Sequence, residues 1–154
     1  MPRFIPVLPT DRRYIPLVGI LIVLLTVIVM VFFVVNTAVK VDGDSMLPGL
    51  HSGDHVLVTR GYRSPMRGDI VSLSIMIEGE PDSLIKRVIG IPGDTVEVFG
   101  DRVTVNGAPE PTWYETAMGA EAFHLGPLVV PEGTVYVLGD NREISMDSRF
   151  FGAV

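Results

Sequence analysis

Between Ile15 and Val35 the chain reads IPLVGILIVLLTVIVMVFFVV, 21 residues without a charge. As a helix this run is roughly 30 Å long, about the hydrocarbon thickness of a bilayer. A buried core helix is rarely apolar on every face. A cleavable leader has a shorter apolar stretch, about 7–15 residues, and a small-x-small exit. Here Asn36-Thr37-Ala38 places a bulky polar residue at that exit, and Pro16 falls in the first turn, where its missing N–H costs nothing. The pattern predicts an uncleaved transmembrane helix over 15–35, a tail over 1–14 and a separate domain over 36–154. Arg3, Arg12 and Arg13 precede the helix against Asp11, while Lys40 follows it. The positive-inside bias puts the tail in the cytoplasm and the domain outside.

Beyond the helix the texture changes to short β-branched runs bounded by Gly, Pro or Asp. They lie at 55–59, 70–73, 84–89, 95–99, 103–105 and 134–138, and describe an all-β domain. Gly100-Asp101 and Asn106-Gly107 read as tight hairpin turns. Gly-Asp recurs at 43, 53, 68, 93, 100 and 139, which suits turn chemistry rather than a repeat. Residues 108–127, with Pro109, Pro111, Gly119 and Pro127, read as an irregular insertion. Residues 41–154 hold 8 basic and 17 acidic residues, a formal charge of −9. With no basic patch, nucleic acid is not an expected partner. The absence of cysteine rules out disulfides and thiolate chemistry.

Residues 41–154 contain one lysine, Lys86, against seven arginines. Arginine does not deprotonate, whereas lysine does and shifts its pKa when buried. By strand alternation Lys86 shares an apolar face with Leu84 and Val88, and Arg87 points the other way. The pattern also suits a lysine whose stem packs while its head reaches solvent, which is the commoner case. Ser45 sits in Asp42-Gly43-Asp44-Ser45-Met46-Leu47-Pro48, where glycine and proline imply a turn presenting the hydroxyl. Serine needs an adjacent base to act as a nucleophile. His51, His55 and His124 form no cluster that would serve as that base or hold a metal, so no metal or cofactor is expected. Glu78, Glu80 and Asp82 surround a loop and read as a solvated face, and Arg67-Gly68-Asp69 reads as a turn.

Three separated segments resemble bacterial type I signal peptidases. Gly43-Asp44-Ser45-Met46-Leu47-Pro48 is similar to the family's serine-methionine box. The stretch from Pro65-Met66-Arg67-Gly68-Asp69-Ile70-Val71 to Lys86-Arg87-Val88-Ile89-Gly90-Ile91-Pro92-Gly93-Asp94 resembles its lysine box and preceding strand. Gly139-Asp140-Asn141-Arg142-Glu143-Ile144-Ser145-Met146-Asp147-Ser148-Arg149 resembles its Gly-Asp-Asn-Arg box. The resemblance implies a catalytic domain of coiled antiparallel sheets with Ser45 as nucleophile and Lys86 as general base. It implies that Ser145 orients the lysine amine, that Asp147 and Arg149 form a supporting ion pair, and that Asp140, Asn141 and Arg142 shape the surrounding loop. Met46 would help place the serine. Relatives with a serine two residues before the nucleophile gain a second oxyanion donor. Here that position is Gly43, as in the small single-anchor Gram-positive members.

The implied activity is membrane-bound cleavage of signal peptides after small residues, on the outer face of a bacterial cytoplasmic membrane. Preproteins, the bilayer and the export translocon are the implied partners. Ile70 and Leu84 are candidates for lining the shallow apolar subsites. The family usually continues through another strand after the third box, so an unpaired sheet edge is expected here. Alternatives are a specialised pilus or conjugation processing Ser/Lys peptidase, and an inactive membrane-anchored binding module. A self-cleaving repressor is contradicted by the anchor and the acidic domain.

Overall fold

A computed structural model of the chain describes residues 14–60, 64–77, 79–100, 102–110 and 124–154. Readings that concern Arg3, Arg12, Arg13, Glu78, Asp101 and the centre of the 108–127 stretch lie outside these residues. The chain divides into two compact units, residues 1–37 and 38–154.

The first unit holds α1 (Tyr14–Val35), 22 residues with none buried. Its surface is apolar on every side, as the sequence requires. Asn36 Nδ2 donates to the Phe32 carbonyl at 2.9 Å, satisfying one acceptor that the helix end leaves over.

The second unit is built from short antiparallel strands in three sheets. β1 (Asn36–Lys40) and β2 (His55–Thr59) form a two-stranded sheet. β3 (Ile70–Ile77), β4 (Glu80–Gly90) and β9 (Tyr136–Leu138) form a second, with β4 central. The third has the order β7 (Ala108–Pro109), β6 (Arg102–Val105), β5 (Thr95–Phe99), β8 (His124–Val129). A four-residue helix, α2 (Ser148–Phe151), comes last. The all-β expectation therefore holds, with one long apolar helix before it.

Alternation decides which side chains meet. β5 and β6 bury every second residue and pair Val96 with Val105 and Val98 with Val103. These valines join Ile89, Tyr136 and Leu138 in one hydrophobic cluster, so the second and third sheets share a core. Asn106 and Gly107 both take positive φ, 54° and 76°, as a two-residue turn between β6 and β7 requires.

The elements differ from the sequence reading where polar residues lie in strands. Glu80 and Asp82 flank the turn at Gly79 and are exposed, as a solvated face around a loop requires, but they also extend β4 beyond the 84–89 run read from the sequence. They belong to β4, in register with Ile77 and Ile75, and residues 80–83 of that strand are exposed and so need not be apolar. The ends of the 108–127 stretch are strand: β7 lies at one end and β8 begins at the other. Gly126 and Pro127 hid β8 in the sequence, yet they fall where its register with β5 shifts, a position that tolerates both. Near the end of the chain, Val135 and Val154 exchange backbone hydrogen bonds of 2.7 and 3.0 Å.

Gly90 ends β4 inside the shared core. A Cβ there would lie 2.7 Å from Val96 Cγ2 and 3.0 Å from Val130 Cγ2. Both neighbours are stiff β-branched side chains that cannot swing aside. Gly90→Ala is expected to destabilise the domain by about 1–3 kcal/mol through overpacking, measured by chemical denaturation of the full chain in detergent.

Candidate active site

The serine loop closes between β1 and β2. Val41 N–H donates to the Asp54 carbonyl at 2.8 Å, and Gly53 N–H donates to the Val41 carbonyl at 2.9 Å, extending the ladder past the strands. The intervening residues must reverse direction tightly. Gly43 does so at φ 80°, and its N–H donates to Ser52 Oγ at 3.3 Å. Bonds from Leu47 N–H to the Asp44 carbonyl and from Leu50 N–H to the Met46 carbonyl wind the chain around Ser45. Met46 points inward, 1% exposed, and pins the turn to the domain, while Ser45 itself is half-buried.

Lys86 Nζ lies 2.7 Å from Ser45 Oγ, bringing together residues 41 positions apart in the chain. Lys86 is 2% exposed. Of the two readings of this lysine, the buried one is observed. Burial holds the amine below its ordinary pKa of 10.5, opposed by the weaker fields of Asp147 and Asp82. A hydroxyl and a buried amine at this distance have the geometry that proton transfer demands.

The loop from Gly139 to Arg149 packs against both groups. Asn141 N–H donates to the Ser45 carbonyl at 3.0 Å, and its side-chain amide reaches the Asp44 carbonyl at 3.2 Å. Asp140 receives a bidentate pair from Arg87, at 2.7 Å from Nε and 2.6 Å from Nη2. The two adjacent residues of β4 therefore take opposite duties: Lys86 meets the serine, and Arg87 ties the strand to this loop. Asp147, fully buried, accepts from Arg149 Nε at 2.8 Å, from Arg149 Nη2 and from Gly139 N–H at 3.0 Å each, and caps α2. Arg149 also holds the Arg142 carbonyl at 2.7 Å. Arg142 donates Nε to the Gly139 carbonyl at 2.8 Å and grips both carboxylate oxygens of Glu110. Ser145 Oγ is buried with no hydrogen-bond partner among the described residues.

Arg87, Gly139 and Glu110 were not singled out by the sequence reading. Gly139 is squeezed where the two loops cross: a Cβ would lie within 2.5 Å of the Ser45 carbonyl oxygen and closer still to the Ser145 hydroxyl. In the sequence it opened the third box and belonged to a Gly-Asp pair read as a turn, yet its φ is not positive. His124 instead packs edge-on against Phe99, with centroids 4.1 Å apart.

A cleft of about 550 Å³ opens between β2 and β3, lined by Leu50, Val56, Pro65, Ile70 and Ile85 among others. Leu50 is one turn after Met46, and Ile85 adjoins Lys86. Of the two subsite candidates, Ile70 lines this cleft and Leu84 does not.

The depressed Lys86 pKa has a sign that stability measurements can read. The unfolded lysine holds its proton up to about 10.4, while the folded one loses it earlier. Between those two values the unfolded state binds more protons, so wild-type stability gains as pH rises. Lys86→Met lacks this contribution. Its stability advantage over wild type is expected to be largest below the folded pKa and to shrink as pH climbs toward 10.5. The gap is about 1.4 kcal/mol for each unit of depression, measured by denaturation across pH.

Residues 12–154 match the model of the family described as signal peptidase, peptidase S26. A signal peptidase I of Bacillus licheniformis is 42% identical over 122 residues, 71% of this chain and 63% of the relative. Signal peptidase I S of Bacillus subtilis (strain 168) is 43% identical over 121 residues, covering 71% and 64%. A crystal structure of a signal peptidase I from Enterococcus faecalis V583 shares 33% identity, covers 61% of this chain and 92% of that one, and aligns with a TM-score of 0.46. The chain thus spans somewhat under two thirds of the length of the two Bacillus relatives. With the family match extending over nearly the whole sequence, this chain belongs to the signal peptidase, peptidase S26 family.

Proposed function

We propose that this chain is a membrane-anchored serine endopeptidase that removes signal peptides from exported proteins, with Ser45 as nucleophile and Lys86 as general base. The observation that carries this reading is the 2.7 Å contact between the Ser45 hydroxyl and a lysine amine whose charged form burial disfavours. Neutral Lys86 takes the Ser45 proton as Oγ bonds to the scissile carbonyl carbon. The oxyanion develops beside the Ser45 N–H, which is the natural donor; Gly43 supplies no side-chain hydroxyl. As the intermediate collapses, Lys86 passes its proton to the leaving amine, and an ester to Ser45 remains. Water then attacks that ester, with Lys86 again removing a proton and returning it to Ser45. The resemblance proposes Ser145 as the hydroxyl that orients the amine, although Ser145 Oγ bonds neither Lys86 nor any other described residue here; the Asp147–Arg149 pair keeps its loop in place.

The strand pattern supports a peptide substrate. β4 is paired with β3 from Glu80 to Arg87, but β9 covers its other side from Arg87 onward. Among the described strands, none pairs with that other side from Glu80 to Lys86. An extended peptide adding there would run toward Ser45, with backbone bonds giving affinity and the apolar cleft receiving alternate side chains. The 22-residue helix, uncharged throughout, ends ten positions before Ser45 and, as a span, would hold the serine near the membrane surface. The basic residues before the helix in the sequence support an orientation with the domain on the outer face of the cytoplasmic membrane.

The test is cleavage of a purified preprotein with an Ala-x-Ala site by the full chain in detergent or lipid. Wild type is expected to cut after the second alanine, and Ser45→Ala and Lys86→Met to lose roughly a thousandfold or more in kcat. Normal cleavage by either variant overturns the dyad. Because the neutral amine is the active form, kcat/KM is expected to rise with pH along a limb whose midpoint lies below 10.5.

A further inference from the structure

We infer that Glu110, which lies at the end of the third sheet and outside all three sequence boxes, is a positioning residue that holds the Ser45–Lys86 dyad in register through Arg142. Glu110 is placed by its own backbone, whose N–H donates to the Val103 carbonyl of β6 at 2.9 Å. Its carboxylate takes both terminal nitrogens of Arg142, one of them at 3.0 Å. The two side chains are 12% and 4% exposed, so the pair is shielded from water and rigid rather than a loose surface contact.

From Arg142 the connection reaches the dyad by short, named bonds. Arg142 Nε holds the Gly139 carbonyl, and Gly139 N–H holds Asp147. Asn141, between Gly139 and Arg142, binds the Ser45 carbonyl through its N–H. Ser45 Oγ meets Lys86 Nζ. The charged or titratable groups that bear on Lys86 are Asp147 from this loop and Asp82 from its own strand, with Ser45 from the serine loop as its hydrogen-bond partner. Without the Glu110 carboxylate, the buried Arg142 guanidinium loses a bidentate counter-charge and shifts toward its other acceptors, and the backbone turn around Gly139 moves with it. A displacement on the order of 1 Å at the dyad lowers turnover far more than substrate affinity.

The kinetic side of this role rests on the peptidase reading above; a spectroscopic side does not. The chain has two lysines, Lys40 and Lys86, so ¹³Cε-lysine labelling of the full chain in micelles gives two titrating signals, assigned with Lys86→Met. Glu110→Gln is expected to lower kcat about 100-fold with KM nearly unchanged, and to move the Lys86 titration upward toward the ordinary lysine value as water enters. Glu110→Asp should recover part of both. Val98→Ala, which thins the shared core, serves as the stability control and should lower Tm while leaving kcat and the Lys86 titration unchanged. If Glu110→Gln behaves like Val98→Ala, Glu110 merely fastens the sheet and the inference is overturned. If Ser45→Ala cleaves as fast as wild type, the Ser45–Lys86 dyad reading falls instead. The Lys86 titration then decides by itself: a shift in Glu110→Gln upholds the positioning role, and an unmoved signal overturns it.

Discussion

A lysine amine buried without a bonded counter-ion is the constraint around which the domain is arranged. Taking such a group out of water is costly in its charged form, so it must be neutral or compensated. Lys86 meets a hydroxyl instead of a carboxylate, although the domain encloses several carboxylates. Each of those carboxylates is held by an arginine: Asp140 by Arg87, Asp147 by Arg149, Asp94 by Arg67 and the half-buried Glu110 by Arg142. Arginine keeps its charge at every relevant pH and grips a carboxylate with two parallel bonds. The buried acids are thereby engaged, and the fields of Asp147 and of the exposed Asp82 on the lysine are weaker than the effect of burial.

This division of labour also explains the geometry of the backbone. Strand alternation sends Lys86 and Arg87 in opposite directions from β4, so one strand supplies both the amine and its connection to the Gly139–Arg149 loop. That loop passes so close to Ser45 that Gly139 has no room for a side chain. Ion pairs of this kind add little net stability once desolvation is counted, but breaking one leaves an uncompensated buried charge. Their contribution here is geometric: they hold three segments, distant in sequence, around a single hydroxyl.

Much of this was legible in the residues. The apolar run could be little other than a helix with no polar face, and α1 covers it to within one residue. The alternating runs at 55–59 and 95–99 became strands with the same bounds, because their buried faces are valine-rich and their turns are glycine-marked. Ser45 and Lys86 stood out as a turn-borne hydroxyl and a lone lysine on an apolar face. Where polar residues carry the strands, the pattern was silent. β1 opens with Asn36-Thr37, the outer half of β4 is acidic, and β8 contains Gly126 and Pro127.

Local chemistry determined the apolar helix, the β character of the domain after it, and the supply of one titratable lysine among arginines, since these depend on neighbours within a few residues. Long-range packing decided the rest. Whether Lys86 reached solvent or was buried, which arginine took which acid, and that Glu110 answers Arg142 all depend on residues brought together from tens of positions apart. Alternation specifies the face on which a side chain emerges, but not what stands opposite it; that is set when the sheets close on their common core.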